Sequence, residues 1–157
     1  HPLAPLDNLD LYRRIGGMFG ARERAEALYR EFEAAYESAK KHAFRRRKVL
    51  YLIWKDPWMA VSRDTYISRT LALFGLDTLP FDATERYPRI ALKEPWLDDV
   101  ELILLSSEPY RFTKRHIGET NLLLGKPARL IDAQMTSWYG SRAIRGLAYL
   151  AEFSRSL

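Results

Sequence analysis

The sequence predicts an α/β lobe, a parallel sheet with flanking helices, preceded by one long helix. Three observations carry that reading. Short continuous runs rich in strand-forming apolar residues recur at 49–54, 101–106 and 128–132, the pattern of strands buried on both faces. Segments with helical apolar spacing separate them, which implies parallel strands joined by right-handed crossovers. Ahead of the first strand, neither glycine nor proline interrupts residues 21–48.

Taken in order, Pro2 and Pro5 make the first six residues an extended connection. Asp7 or Asn8 can cap a short helix whose stripe is Leu9, Tyr12, Ile15 and Phe19, ending at Gly20. The long helix starts near Ala21, with Ala25, Leu28, Phe32, Ala35 and Ala39 stepping by three and four. About 20 helical residues span roughly 30 Å, enough for a rigid strut across a small domain. Its stripe of Leu28, Phe32 and Ala35 needs a partner, and an exposed stripe would favour a homodimer. After the strand at 49–54, residues 63–74 read as a helix stopped by Gly75, and 79–88 as an irregular proline-rich passage. A strand at 101–106, a short helix at 112–118, a strand at 128–132 and a final helix at 141–153 complete the chain.

Composition limits the chemistry. The chain has 157 residues with 47% hydrophobic and 29% charged content, which suits one packed domain and not a disordered segment. Cysteine is absent and there are three histidines, which excludes disulfide scaffolds, thiol nucleophiles and thiolate metal sites. No apolar run approaches the roughly 18 residues that cross a bilayer. The net charge of +5 is concentrated at Lys40, Lys41, Arg45, Arg46, Arg47 and Lys48. Such a run suits a solvated helix end or a phosphate or lipid-headgroup contact.

Enzymatic signatures fail one by one. A phosphate loop ending at Gly125 and Lys126 would need glycine where Thr120 stands and serine or threonine where Pro127 stands. Gly16, Gly17 and Gly20 do not follow a strand, and His42 and His116 lack a partner at helical spacing. What stands out is aromatic residues in the loops: Trp54 and Trp58 around Pro57, Tyr87 before Pro88, Tyr110 and Phe112 after Pro109, and Trp138 and Tyr139 before Gly140. Loops at the carboxyl ends of parallel strands line the binding crevice. Rings gathered there suit a flat apolar or π-rich ligand.

Three segments, KVLYLIWKDPWMAVS from Lys48, ERYPRIALKEPWLDDVELILLSSEPYRF from Glu85 and ARLIDAQMTSWYGSRAI from Ala128, together resemble the C-terminal lobe of helical-backbone periplasmic binding proteins. That family serves ABC importers of vitamin B12, ferric siderophores and haem, and the tryptophan-rich loops are most similar to its cobalamin branch. The resemblance implies two lobes joined by the long helix, with ligand held between them. It divides the chain into the end of an N-terminal lobe or a connection (1–20), the bridging helix (21–47) and a C-terminal ligand-binding lobe (48–157), the rest of the N-terminal lobe being missing. It also implies Trp58, Tyr87, Trp138, Tyr139 and Arg142 as ligand-binding residues and Glu94 as the transporter-docking residue. By the same resemblance the protein is non-enzymatic, periplasmic or anchored outside the membrane, and uses no cofactor. Its partners would be ABC membrane subunits and a small-molecule metal chelate, not nucleic acid. Two rival readings stand beside it: a basic module binding nucleic acid or acidic lipid through residues 40–48, and a small hydrolase or transferase.

Overall fold

The computed structural model describes residues 1–81 and 84–157. Its helices are α1 (Asp7–Met18), α2 (Arg22–Lys40), α3 (Tyr66–Ala72), α4 (Lys114–Leu124), α5 (Ala133–Ser137) and α6 (Ser141–Arg155). Its strands are β1 (Arg47–Trp54), β2 (Met59–Ala60), β3 (Leu76–Leu79), β4 (Leu102–Ser106) and β5 (Ala128–Ile131). The expected α/β lobe behind a long helix is therefore present. β1 pairs in parallel with β3 on one side and β4 on the other, and β4 pairs in parallel with β5. The short β2 is antiparallel to β1, with Leu52 opposite Ala60.

Strand alternation sorts the core into two halves. Val49, Tyr51, Ile53, Leu102 and Leu104 face one way, toward Tyr12, Phe32, Ile67, Leu71 and Leu147 of the helices. Leu50, Leu52, Ile103 and Leu105 face the other, toward Ile90, Leu97, Val100 and Phe112, with Ile117 and Leu124 of α4 packed beside them. α5 crosses closely over α6 because Gly146 has no side chain; a Cβ there would lie 2.3 Å from the Met135 carbonyl oxygen.

Several expectations change. The long helix stops at Lys40, short of residue 47, and residues 43–46 lead straight into β1. The cause is the sheet: Arg47 to Leu50 lie in register with Leu76 to Leu79, and the Arg47 N–H donates to the Gly75 carbonyl. The stripe of α2 is covered, not open. Phe32 is fully buried, with its ring edge-on to Tyr12 at 6.0 Å, and Leu28 and Ala35 pack on the same core. The open stripe that would favour a homodimer is therefore not present. Residues 76–79 form β3, the short helix at 112–118 is instead Lys114–Leu124, and Phe112 is a core residue. Neither Asp7 nor Asn8 caps α1: Leu6 occupies that position, and the Asp7 carboxylate accepts from the Leu3 and Ala4 amides.

Of the passage at 79–88, Asp82 and Ala83 lie outside the described residues. Its later part runs alongside β2: the Ala60, Ser62 and Ile90 amides donate to the carbonyls of Pro88, Arg86 and Trp58. That ladder fixes Tyr87 at the sheet's edge.

Candidate crevice at the carboxyl ends of the strands

The loops following β1 and β4 and a third loop, residues 138–140 between α5 and α6, meet at one end of the sheet. Two of them carry a cis peptide bond, before Pro57 and before Pro109. Beneath them is a cavity of about 420 Å³ bounded by Tyr51, Ile53, Trp54, Met59, Ile67, Tyr87, Glu108, Pro109, Ala133 and Ser137. Glu108 also borders a second cavity, of about 550 Å³, lined by Ser107, Phe112, Asp132, Gln134 and Tyr149 among others. Ser137 borders a third, of about 380 Å³, with Trp138 and Tyr139. The three adjoin one another at Glu108 and Ser137 and form a crevice region near the carboxyl ends of the strands, the usual ligand position in an open parallel sheet.

Its floor is buried and hydrogen-bonded and its rim aromatic. The Tyr51 ring is fully buried, its hydroxyl paired with Thr136 Oγ1 at 2.7 Å, and burial pushes the phenol pKa up, so it stays neutral. Burial likewise raises the Tyr149 phenol, whose oxygen accepts from the Asp132 amide. Above this floor Trp54, Tyr87, Trp138 and Tyr139 keep 39%, 43%, 48% and 45% of their surface exposed. These four half-exposed rings give this end of the sheet an apolar, aromatic surface. The guanidinium of Arg142 lies 4.6 Å from the Trp138 ring centroid and donates to Gln134 Oε1, which ties the third loop to α5 and α6.

Tyr87 lines the first of these cavities and Trp138 and Tyr139 the third, with Arg142 packed over Trp138. Trp58 does not join them: it stacks on Phe112 at 6.3 Å with an interplanar angle of 10°, packed with the core on the opposite sheet face. Trp54, four residues earlier at the end of β1, lines the cavity instead. The pairing of β1 with β2 shifts register between Leu52 and Trp54, so regular alternation is broken just where Trp54 stands. Glu94 lies elsewhere. It precedes the 3-10 turn Pro95–Asp99 and borders a separate groove of about 470 Å³ with Phe81, Arg89 and Trp96. The residues missed by sequence reasoning are Asn8 and Tyr12 of α1, which reach the third loop from 132 and 128 positions away.

Among the described residues no cluster of three or more histidine, aspartate or glutamate side chains could hold a metal ion, and no helix is long and apolar enough to cross a membrane.

No protein-family model matches the chain, and neither does any curated protein sequence. Solved structures do match. The periplasmic vitamin B12 binding protein BtuF of Vibrio cholerae superposes with a TM-score of 0.80 at 10% identity, over 99% of this chain and 63% of that one. A possible iron-binding (periplasmic solute-binding) protein from Staphylococcus epidermidis gives 0.74 at 16% identity, over 97% and 63%. The periplasmic heme-binding protein RhuT from Roseiflexus sp. gives 0.71 at 16% identity, over 94% and 60%. The chain thus has the fold of part of a periplasmic binding protein. It spans about 63% of the length of the first two.

Proposed function

We propose that this chain is the ligand-binding C-terminal lobe, with its bridging helix, of an extracytoplasmic solute-binding protein that delivers a metal chelate to an ABC importer. A corrinoid is the favoured ligand, ahead of a ferric siderophore or haem, and the role is binding, not catalysis. The observation that carries the reading is the crevice rimmed by Trp54, Tyr87, Trp138 and Tyr139, four exposed rings at the carboxyl ends of parallel strands. Flat, rigid rings bind a planar macrocycle at little conformational cost. The fold likeness to B12-, iron- and heme-binding proteins supports the same class.

The rival basic-patch reading loses ground to the ion pairing of the run. Arg46 pairs with Asp77 at 2.6 Å and Lys48 with Asp99 at 3.1 Å; Arg45 faces Glu101, and Arg47 donates to the Leu157 carbonyl. Cations paired with neighbouring carboxylates, as Arg45, Arg46 and Lys48 are, present a weaker field to phosphate.

Titration with cyanocobalamin, followed by tryptophan fluorescence, tests the proposal. Saturable quenching that weakens in Trp138→Ala supports it; quenching identical in both proteins overturns the site.

A further inference from the structure

Asn8 is a polar side chain with no exposed surface. A buried amide is costly unless all its polar atoms are paired, and here the pairing is directed at one loop. Its Nδ2 donates to the Pro5 carbonyl at 2.8 Å and to the Tyr66 hydroxyl at 3.0 Å, while its Oδ1 accepts from the Gly140 amide at 2.7 Å. Tyr12, four residues on and so on the same helix face, donates its hydroxyl to the Gly140 carbonyl at 2.8 Å. Both backbone polar groups of Gly140 are thus held by side chains of α1. Tyr66, anchored by Asn8, sets its ring edge-on to Tyr139 at 6.1 Å. Gly140 itself sits at φ 75°, ψ −150°, a region that glycine alone enters readily.

We infer that Asn8 and Tyr12 are positioning residues that hold residues 138–140 in the one conformation that presents Trp138 and Tyr139 at the crevice. The part of this inference that concerns ligand rests on the function proposed above; the clamp on the loop does not. α1 is then part of the binding apparatus, and a change at its face alters the site without touching ligand. Burial pushes the Tyr12 phenol up, so it remains a hydrogen-bond donor across the neutral range.

The test compares wild type with Tyr12→Phe, which removes only a hydroxyl and keeps the ring packed on Phe32, and with Asn8→Ala. Amide hydrogen exchange is read residue by residue by NMR, together with tryptophan emission. Losing one net hydrogen bond should speed exchange in segment 138–142 by about fivefold in Tyr12→Phe, with amides of β4 unchanged and emission shifted to the red. Asn8→Ala should do the same more strongly; if it fails to fold, Tyr12→Phe decides alone. Exchange at 138–142 that stays at the wild-type rate, or that rises only in step with β4, overturns the clamp. Cyanocobalamin and haemin titrations of the same proteins form a separate arm. Faster exchange with weaker binding of a probe supports both inferences. Faster exchange with unaltered binding, or no binding of either probe to wild type, supports the clamp and counts against the proposed ligand site.

Discussion

Arg142 stands over Trp138, its guanidinium carbon 4.6 Å from the ring centroid, while the same guanidinium donates to Gln134. One side chain therefore couples the exposed ring of the third loop to the first turn of α5. A half-exposed cation–π pair contributes about 0.5–1 kcal/mol, and the hydrogen bond adds a directional constraint. Arg142→Ala should leave the fold intact and weaken cyanocobalamin binding by about two- to fivefold. Calorimetric titration checks this, and Arg142→Lys should recover only part of the loss because an ammonium cannot stack and donate as a planar fork does.

Gly140→Ala should be destabilising although no atom stands within 4 Å of its added Cβ. The penalty is conformational: φ 75° with ψ −150° costs a non-glycine residue about 1–3 kcal/mol. Urea unfolding should show a lower midpoint at unchanged slope. The resulting loop should also show the faster exchange expected of the α1 variants.

Acid should loosen the N-terminal segment before the core. The Leu3 and Ala4 amides hold the Asp7 carboxyl below its usual value of 3.8, so its contribution to docking is present above that value and is lost as pH falls through the lowered one. Amide shifts of Leu3 and Ala4 should therefore move below about pH 4 while those of β1 stay fixed. In Asp7→Asn the low-pH step at these two amides should disappear.

Glu94 lies apart from the aromatic crevice, half-exposed beside Trp96, and among the described residues no cation pairs with it. If it docks the transporter, Glu94→Arg should leave chelate affinity nearly unchanged and abolish ligand-stimulated ATP hydrolysis by the cognate importer. A carboxylate desolvated against arginine at an interface matters far more than an exposed pair. Stimulation that survives the charge reversal removes Glu94 from the docking surface.

Much of the fold was legible because its strongest elements are local. The apolar runs at β1, β4 and β5 announce buried strands, and the spacing of Phe32 and Ala39 announces α2. What was hidden depends on partners distant in sequence. β3 is four residues long and is stabilised by its ladder with Arg47 to Leu50; nothing in LDTL signals this. The end of α2 at Lys40 follows from the same ladder, which draws Arg47 into the sheet. At the site, aromatic residues after strands drew attention to the loops where Tyr87, Trp138 and Tyr139 stand, yet could not choose between Trp54 and Trp58, four residues apart around one turn and packed on opposite faces of the sheet. Asn8 carried no signal, since a cap-forming residue near a helix start has a local explanation ready, and its actual partner is Gly140.

The position of a bound chelate relative to the four tryptophans decides the central claim. In a heteronuclear NMR titration with cyanocobalamin, the indole N–H signals of Trp54 and Trp138 should shift or broaden together along one saturation curve, while that of Trp96, beside Glu94 on the opposite face, stays in place. Perturbation confined to Trp96, or equal at all four indoles, would contradict a ligand site at the carboxyl ends of the strands.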